Sequence, residues 1–292
     1  MKNFEKVTIS TKIMAPLSLV WRAWTNPDHV VNWNFAADSW HCPSATSDFK
    51  IGGKFSYRME AKDNSFGFDF KGEFTEIKPM ESLAFQLDDD RRVWVSFEQQ
   101  GDEVSLVEEF EAEEVNDLDF QKQGWNTILE NFKIYVEDLC EIDKLHFEVF
   151  IEAPVDLVFR TMLEDKAYRE WTSPFHPGSF FRGNWGEGEK ILFIGPDEKG
   201  NEGGMVSKVV RFIPNKQVSL EHYGLYHNGE EITEGPEVKI WAGSKEEYFF
   251  KERDNGTMLK VATDSNREYK EYFLDVWPKA LQILKEICET NK

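Results

Sequence analysis

Apolar and polar residues alternate along the start of the chain, and the same alternation returns near its middle. In residues 7–13 and again in residues 145–151, every second side chain shares one face, a period of two that predicts β-strands. Each predicted strand runs into an Ala-Pro pair, Ala15-Pro16 or Ala153-Pro154. Proline is tolerated at the start of a helix, so the pattern predicts a strand followed by a helix at both places.

The two places belong to an internal repeat. The string IMAPLSLVWRAWTNPDHVVNW begins at Ile13, and IEAPVDLVFRTMLEDKAYREW begins 138 residues later at Ile151. Near the ends of the copies the offset is 152, from Trp125 to Trp277, so the second copy has about fourteen additional residues. The polar segment HNGEEITEGPEV at 227–238 is the predicted insertion, because insertions belong in surface loops. The repeat predicts two domains, residues 1–140 and 144–292.

Each copy closes with a long helix whose apolar residues recur at steps of three and four. A series of predicted strands, separated by turn signals such as Gly52-Gly53 and Pro214-Asn215, lies between the short helices and this last helix. A closing helix with a single apolar stripe packs against a single layer, here the predicted sheet. The predicted fold class is therefore α+β: in each copy a curved antiparallel sheet is wrapped around a long C-terminal helix, with two short helices after the first strand.

Composition narrows the set of partners. A net charge of −20 disfavours nucleic acid and anionic membrane surfaces, since both are bound through clustered cations. The chain has no run of eighteen apolar residues, and its start, MKNFEKVTIS, lacks the apolar stretch of a secretory signal, so we expect a cytoplasmic location and no membrane partner. The three cysteines form no CxxC or zinc-ligand spacing, so we expect reduced thiols, no metal and no cofactor.

Several long strings resemble a known family. WNFAADSWHCPSATSDFKIGGKFSYRMEAKDNSFGFDFKGEF, DDDRRVWVSF and QKQGWNTILENF are similar to the Activator of Hsp90 ATPase homologue 1-like group of the START/Bet v 1-like helix-grip superfamily. The resemblance covers nearly all of residues 1–140. The second copy resembles a more divergent branch and lacks the WHCPSA segment. The resemblance implies two tandem helix-grip domains, each with a deep cavity between sheet and C-terminal helix that takes apolar molecules, but it implies no single activity.

Strand parity predicts which side chains enter the first cavity. Alternation along KFSYRMEA puts Phe55 and Tyr57 on one face and Arg58 and Glu60 on the other, where charged pairs across the strands are expected. Glu108 stands out, because it is the one carboxylate in a row with Val104, Leu106 and Phe110. A buried carboxylate must be paired or protonated, so Glu108 either has a structural partner or meets a ligand.

Other candidates depend on position. Trp40 and His41 precede Cys42 in a predicted loop that could cover the cavity mouth, or Trp40 could simply anchor that loop; Cys42 as a nucleophile is a remote alternative. In the second copy His222 shares an apolar face, where a satisfied core histidine is the more common case. The candidate ligand-binding residues are Trp40, His41, Phe55, Tyr57, Phe68, Phe70, Trp94, Glu108, Trp125, Leu129, His222, Trp241, Tyr248 and Trp277.

Three functions are consistent with these patterns. The first is non-catalytic binding or sequestration of an apolar small molecule in an aromatic-lined cavity, which predicts a continuous cavity of several hundred cubic ångströms. The second is a cyclase or hydrolase with Glu108, His41 or His222 as general acid or base, but the sequence does not bring any two of them together. The third is a module that interacts with a chaperone such as Hsp90, as the family resemblance suggests. We favour the first and assign no catalytic residue.

Overall fold

The computed structural model describes residues 4–290 and divides at Leu139 into two units with similar element order. The second unit begins with Cys140, and its first strand starts at Ile142, two residues before the domain start predicted from the repeat. The fold class predicted from the sequence is confirmed in both units.

The first unit is an antiparallel sheet closed by one long helix. Its elements are β1 (Lys6–Ile13), α1 (Leu17–Thr25), α2 (Pro27–Val30), β2 (Trp40–His41), β3 (Ala45–Ser47), β4 (Lys54–Ala61), β5 (Gly67–Lys78), β6 (Ser82–Leu87), β7 (Arg92–Gln100), β8 (Glu103–Glu111) and α3 (Leu118–Leu139). The strand order is β1-β8-β7-β6-β5-β4-β2, with β3 also paired to β4. A register shift between Phe74 and Glu76 interrupts the β5–β6 ladder, and such bulges bend a sheet.

The second unit follows this order, with one short strand where the first unit has β2 and β3, and with one added strand and one added short helix. Its elements are β9 (Ile142–Ile151), α4 (Val155–Leu163), α5 (Asp165–Trp171), β10 (Phe180–Gly183), β11 (Lys190–Pro196), β12 (Glu202–Ile213), β13 (Gln217–His227), β14 (Glu230–Ile232), α6 (Pro236–Lys239), β15 (Lys245–Arg253), β16 (Gly256–Asn266) and α7 (Arg267–Thr290). The strand order is β10-β11-β12-β13-β15-β16-β9, with β14 paired to β13. Strand β14 and helix α6 occupy the predicted insertion, where the first unit has a short turn between β6 and β7.

The closing helix of each unit is fastened to the end of the first strand. In the first unit Lys133 Nζ donates to the Lys12 carbonyl at 2.6 Å, and the Met14 N–H donates to the Glu137 carboxylate at 2.9 Å. The second unit has the same two bonds, from Lys285 to the Phe150 carbonyl at 2.8 Å and from the Glu152 N–H to Glu289 at 2.8 Å. These contacts fix the C-terminal half of each helix on the sheet.

The two short helices are joined by a tryptophan in each unit. Trp33 Nε1 donates to the Ala23 carbonyl at 3.1 Å, and Trp171 Nε1 donates to the Met162 carbonyl at 3.0 Å. Both indoles are buried, so each hydrogen bond is formed away from water. The tryptophan that ends each repeat string therefore anchors the helical corner of the fold.

No helix in the range 4–290 is both long and apolar enough to cross a bilayer.

Candidate ligand-binding cavity

A cavity of about 750 Å³ lies in the first unit, between the concave face of the sheet and helix α3. Its walls are mostly aromatic, contributed by the strands β4 to β6, the N-terminal half of α3 and the segment after α2. Representative wall residues are Trp24, Phe55, Phe70, Phe74, Phe85 and Trp125. The volume lies within the range of sites that hold drug-sized ligands.

Strand parity places the rings inside as expected. Phe55 and Tyr57 on β4 and Phe70 on β5 line the cavity, and the Phe55 and Tyr57 rings lie 4.9 Å apart. On the opposite face, Arg58 pairs across the strands with Asp69 at 3.4 Å, as the alternation predicted, and along its own strand with Glu60 at 2.9 Å. The sheet therefore has a charged outer surface and an aromatic inner one.

The mouth of the cavity has an apolar rim. Trp40, Phe66 and Phe68 form a cluster with ring centroids 6.0 to 6.4 Å apart. Phe66 is 62% exposed and Phe68 44%, and on α3 Phe120 is 66% exposed, although all three also line the cavity. Large exposed aromatic side chains mark binding surfaces more often than isolated small apolar ones.

The segment that enters α3 is held in a defined turn beside this mouth. The buried Gln121 accepts from the Glu113 N–H at 2.9 Å and donates to the carbonyls of Glu113 and Asn116 at 3.0 and 2.8 Å. The Glu113 carboxylate accepts from the Asn116 backbone and side chain at 2.9 and 2.6 Å. The side chains of Gln121 and Glu113 therefore already have hydrogen-bond partners within the chain.

Glu108 lies on the inner face of β8, opposite Ile9 on β1 and Val95 on β7, and it lines the cavity. It is only 5% exposed. Among residues 4–290 its carboxyl has neither a hydrogen bond nor an ion pair, and burial raises its pKa to about 8. The carboxyl therefore holds a proton at neutral pH.

Comparison with known proteins identifies this unit. Residues 14–137 match the family described as Activator of Hsp90 ATPase homolog 1-like protein. The AHSA1-like protein of Aeromonas hydrophila is 40% identical over 46% of this chain and 92% of its own, with a TM-score of 0.44. A solution structure from Cytophaga hutchinsonii is 38% identical over the same shares, 46% and 92%, with a TM-score of 0.42. The chain belongs to the AHSA1-like family.

A two-domain structure matches along the whole AHSA1-like chain. The di-domain ARO/CYC StfQ from the steffimycin biosynthetic pathway is 12% identical over 98% of this chain and 99% of its own, with a TM-score of 0.38. No curated protein matches the chain. Residues up to Leu139 are called the AHSA1-like unit below.

Three predicted site residues of the AHSA1-like unit lie elsewhere. His41 pairs with Glu60 in β2, an edge strand in place of the expected loop, and does not line the cavity, whereas its neighbour Trp40 does. Trp94 lies on the outer face of β7 with Lys6 Nζ 3.9 Å from its ring centroid, because Val93 and Val95 take the inner positions. Leu129 is buried in α3 as a core residue.

Cys42 is unsuited to act as a nucleophile. Its side chain is buried, and its sulfur lies 3.6 Å from the Ser44 carbonyl oxygen. Burial raises the pKa of the thiol to about 11, so the reactive thiolate is scarce at neutral pH. Burial also raises the pKa of the Tyr57 hydroxyl, which therefore stays protonated in the cavity wall.

His222 of the second unit is a core residue with its own partner. Ser207 Oγ lies 2.7 Å from His222 Nδ1, and Ser207 is fully buried. Burial lowers the pKa of His222 to about 4, so the ring is neutral at physiological pH. This Ser-His pair is buried in the second unit.

The other candidates of the second unit contact neighbouring side chains or backbone. The Trp277 ring lies 4.9 Å from Phe175 and 5.7 Å from Phe147, and Tyr248 lies 6.2 Å from it. The Tyr248 hydroxyl donates to Glu246. Trp241 follows α6 and donates through Nε1 to the Glu237 carbonyl at 2.7 Å. Rings that were expected to stand apart here touch one another.

The candidate residues that line the cavity are Trp40, Phe55, Tyr57, Phe68, Phe70, Glu108 and Trp125. Sequence reasoning missed Phe49, Phe66, Phe85 and Phe120 as wall residues. Phe85 could have been found from the alternation in SLAFQL, whereas Phe49 and Phe120 lie outside strands and give no such signal. In the part of the chain that the structure describes, no three His, Cys, Asp or Glu side chains come together as a metal site.

Gly124 gives a first test of the cavity's shape. It lies within α3 and lines the cavity, and a Cβ built on it meets no atom within 4 Å. Glycine inside a helix costs roughly 1 kcal/mol relative to alanine. We expect Gly124→Ala to raise the free energy of unfolding by about 0.5 to 1 kcal/mol, measured by urea denaturation. A loss of stability would mean that the space beside Gly124 is filled.

Proposed function

We propose that the AHSA1-like unit binds a largely apolar small molecule in the cavity between its sheet and α3. The observation that carries this proposal is a volume of about 750 Å³ walled by aromatic rings. Protein interiors are normally close-packed, and unfilled apolar space lowers stability. A void of this size, kept open by side chains large enough to fill it, favours a bound ligand.

The surroundings support binding rather than catalysis. Glu108 is the inner carboxyl, but His41 lies outside the cavity wall and His222 belongs to the second unit. The general acid and base that a cyclase or hydrolase needs are therefore not brought together by these residues. The apolar rim of Trp40, Phe66 and Phe68 gives an apolar molecule a surface to meet before it enters.

Blocking the cavity from within tests the proposal. Gly124→Phe directs a ring toward the cavity from a helical position at which a Cβ meets no atom within 4 Å. We expect the neutral fluorophore 1-pyrenemethanol to bind the parent protein, and Gly124→Phe to weaken that binding roughly tenfold or more, since the ring takes space the fluorophore needs. Fluorescence titration measures both.

Asn126→Phe is the matched control, because Asn126 is an exposed residue two positions further along α3. It adds the same ring to the same helix and is expected to leave binding unchanged. Equal binding by all three proteins, or no binding by any, would contradict the proposed site. If binding follows the expected pattern, native mass spectrometry of protein purified from its own host would identify the natural ligand.

A further inference from the structure

The polar side chains of the cavity wall differ in whether they already have hydrogen-bond partners in the chain. Arg91 donates to Asp89 at 2.9 Å and to the Glu111 carbonyl at 3.4 Å. Glu113 accepts from its own turn, as described above. Glu108 alone among these charged wall residues has no partner within residues 4–290, although it is 95% buried. Buried polar groups are normally hydrogen-bonded, so this carboxyl is the wall group most able to bind a polar group of a ligand.

Charge indicates what kind of ligand that is. A carboxylic acid would meet the Glu108 carboxyl without a free cation to receive it, because Arg91 is already paired. The face of an aromatic ring carries negative partial charge, so a cavity walled by rings can accommodate a cation. The chain as a whole has a net charge of −20, which raises the local concentration of cations and lowers that of anions.

We propose that the ligand is an apolar ring system with a basic amine, and that the amine binds the Glu108 carboxyl inside the aromatic cavity. This rests on the proposed function of the cavity. The hydrocarbon part fills the space between the sheet and α3. The nitrogen supplies both the charge and the hydrogen bonds that Glu108 lacks.

Binding of an ammonium group changes the protonation of Glu108. Before an amine binds, Glu108 keeps its proton at pH 7, because burial raises its pKa to about 8. A primary amine, with a pKa of about 10.4, is protonated in water at that pH. When the ammonium binds, the carboxyl O–H bond breaks, the proton passes to solvent and an ammonium–carboxylate pair remains. Binding near pH 7 therefore releases close to one proton for each amine bound.

No other titratable group on the wall duplicates this behaviour. The other titratable wall residues are Tyr57 on β4, Arg91 before β7 and Glu113 after β8, while the wall residues of α3 and β6 are uncharged. Burial raises the pKa of the Tyr57 hydroxyl, and the Glu113 carboxylate already accepts hydrogen bonds from Asn116. The released proton thus identifies Glu108.

A matched series of pyrenes tests the proposal on the full chain. The probes are 1-pyrenemethylamine, 1-pyrenemethanol and 1-pyrenecarboxylic acid, which share one ring system and differ in charge. We expect the amine to bind roughly tenfold or more tightly than the alcohol, and the acid to bind most weakly, because a charged hydrogen-bonded pair away from water exceeds a neutral one. Calorimetry in buffers of different ionisation enthalpy counts the proton released by the amine.

Two variants test whether the preference for the amine depends on the Glu108 carboxyl. Glu108→Gln keeps the shape and removes the charge, so the amine is expected to bind no better than the alcohol, without proton release. Glu109→Gln is the control: Glu109 is the next residue on β8, faces outward and pairs with Lys6 at 2.6 Å. It should keep the full preference for the amine.

The outcomes separate the two proposals. If the alcohol binds the parent protein as tightly as the amine, or if Glu108→Gln keeps the amine preference, the amine inference is overturned while the cavity remains a binding site. If none of the three pyrenes binds, the proposed function itself fails. Thermal unfolding of each variant checks that it is folded before binding is measured.

Discussion

Glu108→Gln is expected to stabilise the AHSA1-like unit, by an amount that grows as the pH rises from about 5 to about 8. The ordinary pKa of the carboxyl is 4.5 and burial raises it to about 8 in the folded protein. Between these values the folded state binds a proton that the unfolded state has released, so the free energy of unfolding of the parent falls as pH rises. Glutamine has no such dependence.

The size of the effect follows from the difference in pKa. Each pKa unit corresponds to about 1.4 kcal/mol, so the difference between variant and parent approaches several kcal/mol above pH 8, with about 5 kcal/mol as a ceiling. Below pH 4.5 the carboxyl is protonated in both states and the difference is small. Urea denaturation across pH 5 to 9, with hydrogen exchange of β8 peptides to identify the unit, measures it.

Glu109→Gln is again the matched control. Its carboxylate is exposed and paired with Lys6, so its loss is expected to change stability by less than about 1 kcal/mol and without the same growth with pH. Other titrating groups, such as His222 and Glu246, are common to all three proteins and cancel in the difference. A pH-independent effect of Glu108→Gln would mean that Glu108 is ionised and solvated in the folded state.

Trp277→Ala is expected to cost about 3 to 5 kcal/mol of unfolding free energy in the second unit. Trp277 is 2% exposed, and the rings of Phe147, Phe175 and Tyr248 surround it. Removing the indole therefore leaves a cavity among side chains that are already packed. Denaturation followed by hydrogen exchange of α7 peptides measures the loss.

The equivalent residue of the first unit gives the comparison. Trp125 stacks on Phe110 at 4.2 Å, but it also faces the open cavity. Trp125→Ala is therefore expected to cost less, about 2 kcal/mol, since fewer contacts are lost. Equal losses at the two positions would contradict the difference in packing between the units.

The sequence could predict the fold because its signals were redundant. The repeat from Ile13 to Ile151, the alternation along the strands and the apolar stripe of each closing helix all indicated the same elements. The predicted insertion at 227–238 became β14 and α6. Glu108 could be singled out because a carboxylate in an apolar row is visible without coordinates.

The cavity walls were less predictable, for identifiable reasons. The aromatic ring of Trp94 suggests a wall residue, but the inward positions of Val93 and Val95 place Trp94 on the outer face of the sheet. There Lys6 lies over its ring. Strand β2 consists of Trp40 and His41 alone, and two residues are too few to show a strand period, so the sequence predicts a loop there. Whether packed rings surround a side chain, as they do Trp277, or leave a cavity on one side of it, as beside Trp125, depends on volumes that residue types alone do not give.

Xenon offers the most direct measurement of the central claim, that the AHSA1-like unit keeps an apolar space open between its sheet and α3. Xenon under pressure enters apolar cavities without needing a polar contact. A crystal of the full chain under xenon should show the gas between Phe55, Phe70 and Trp125. Rings closed against one another at that place, with no xenon between them, would contradict the account.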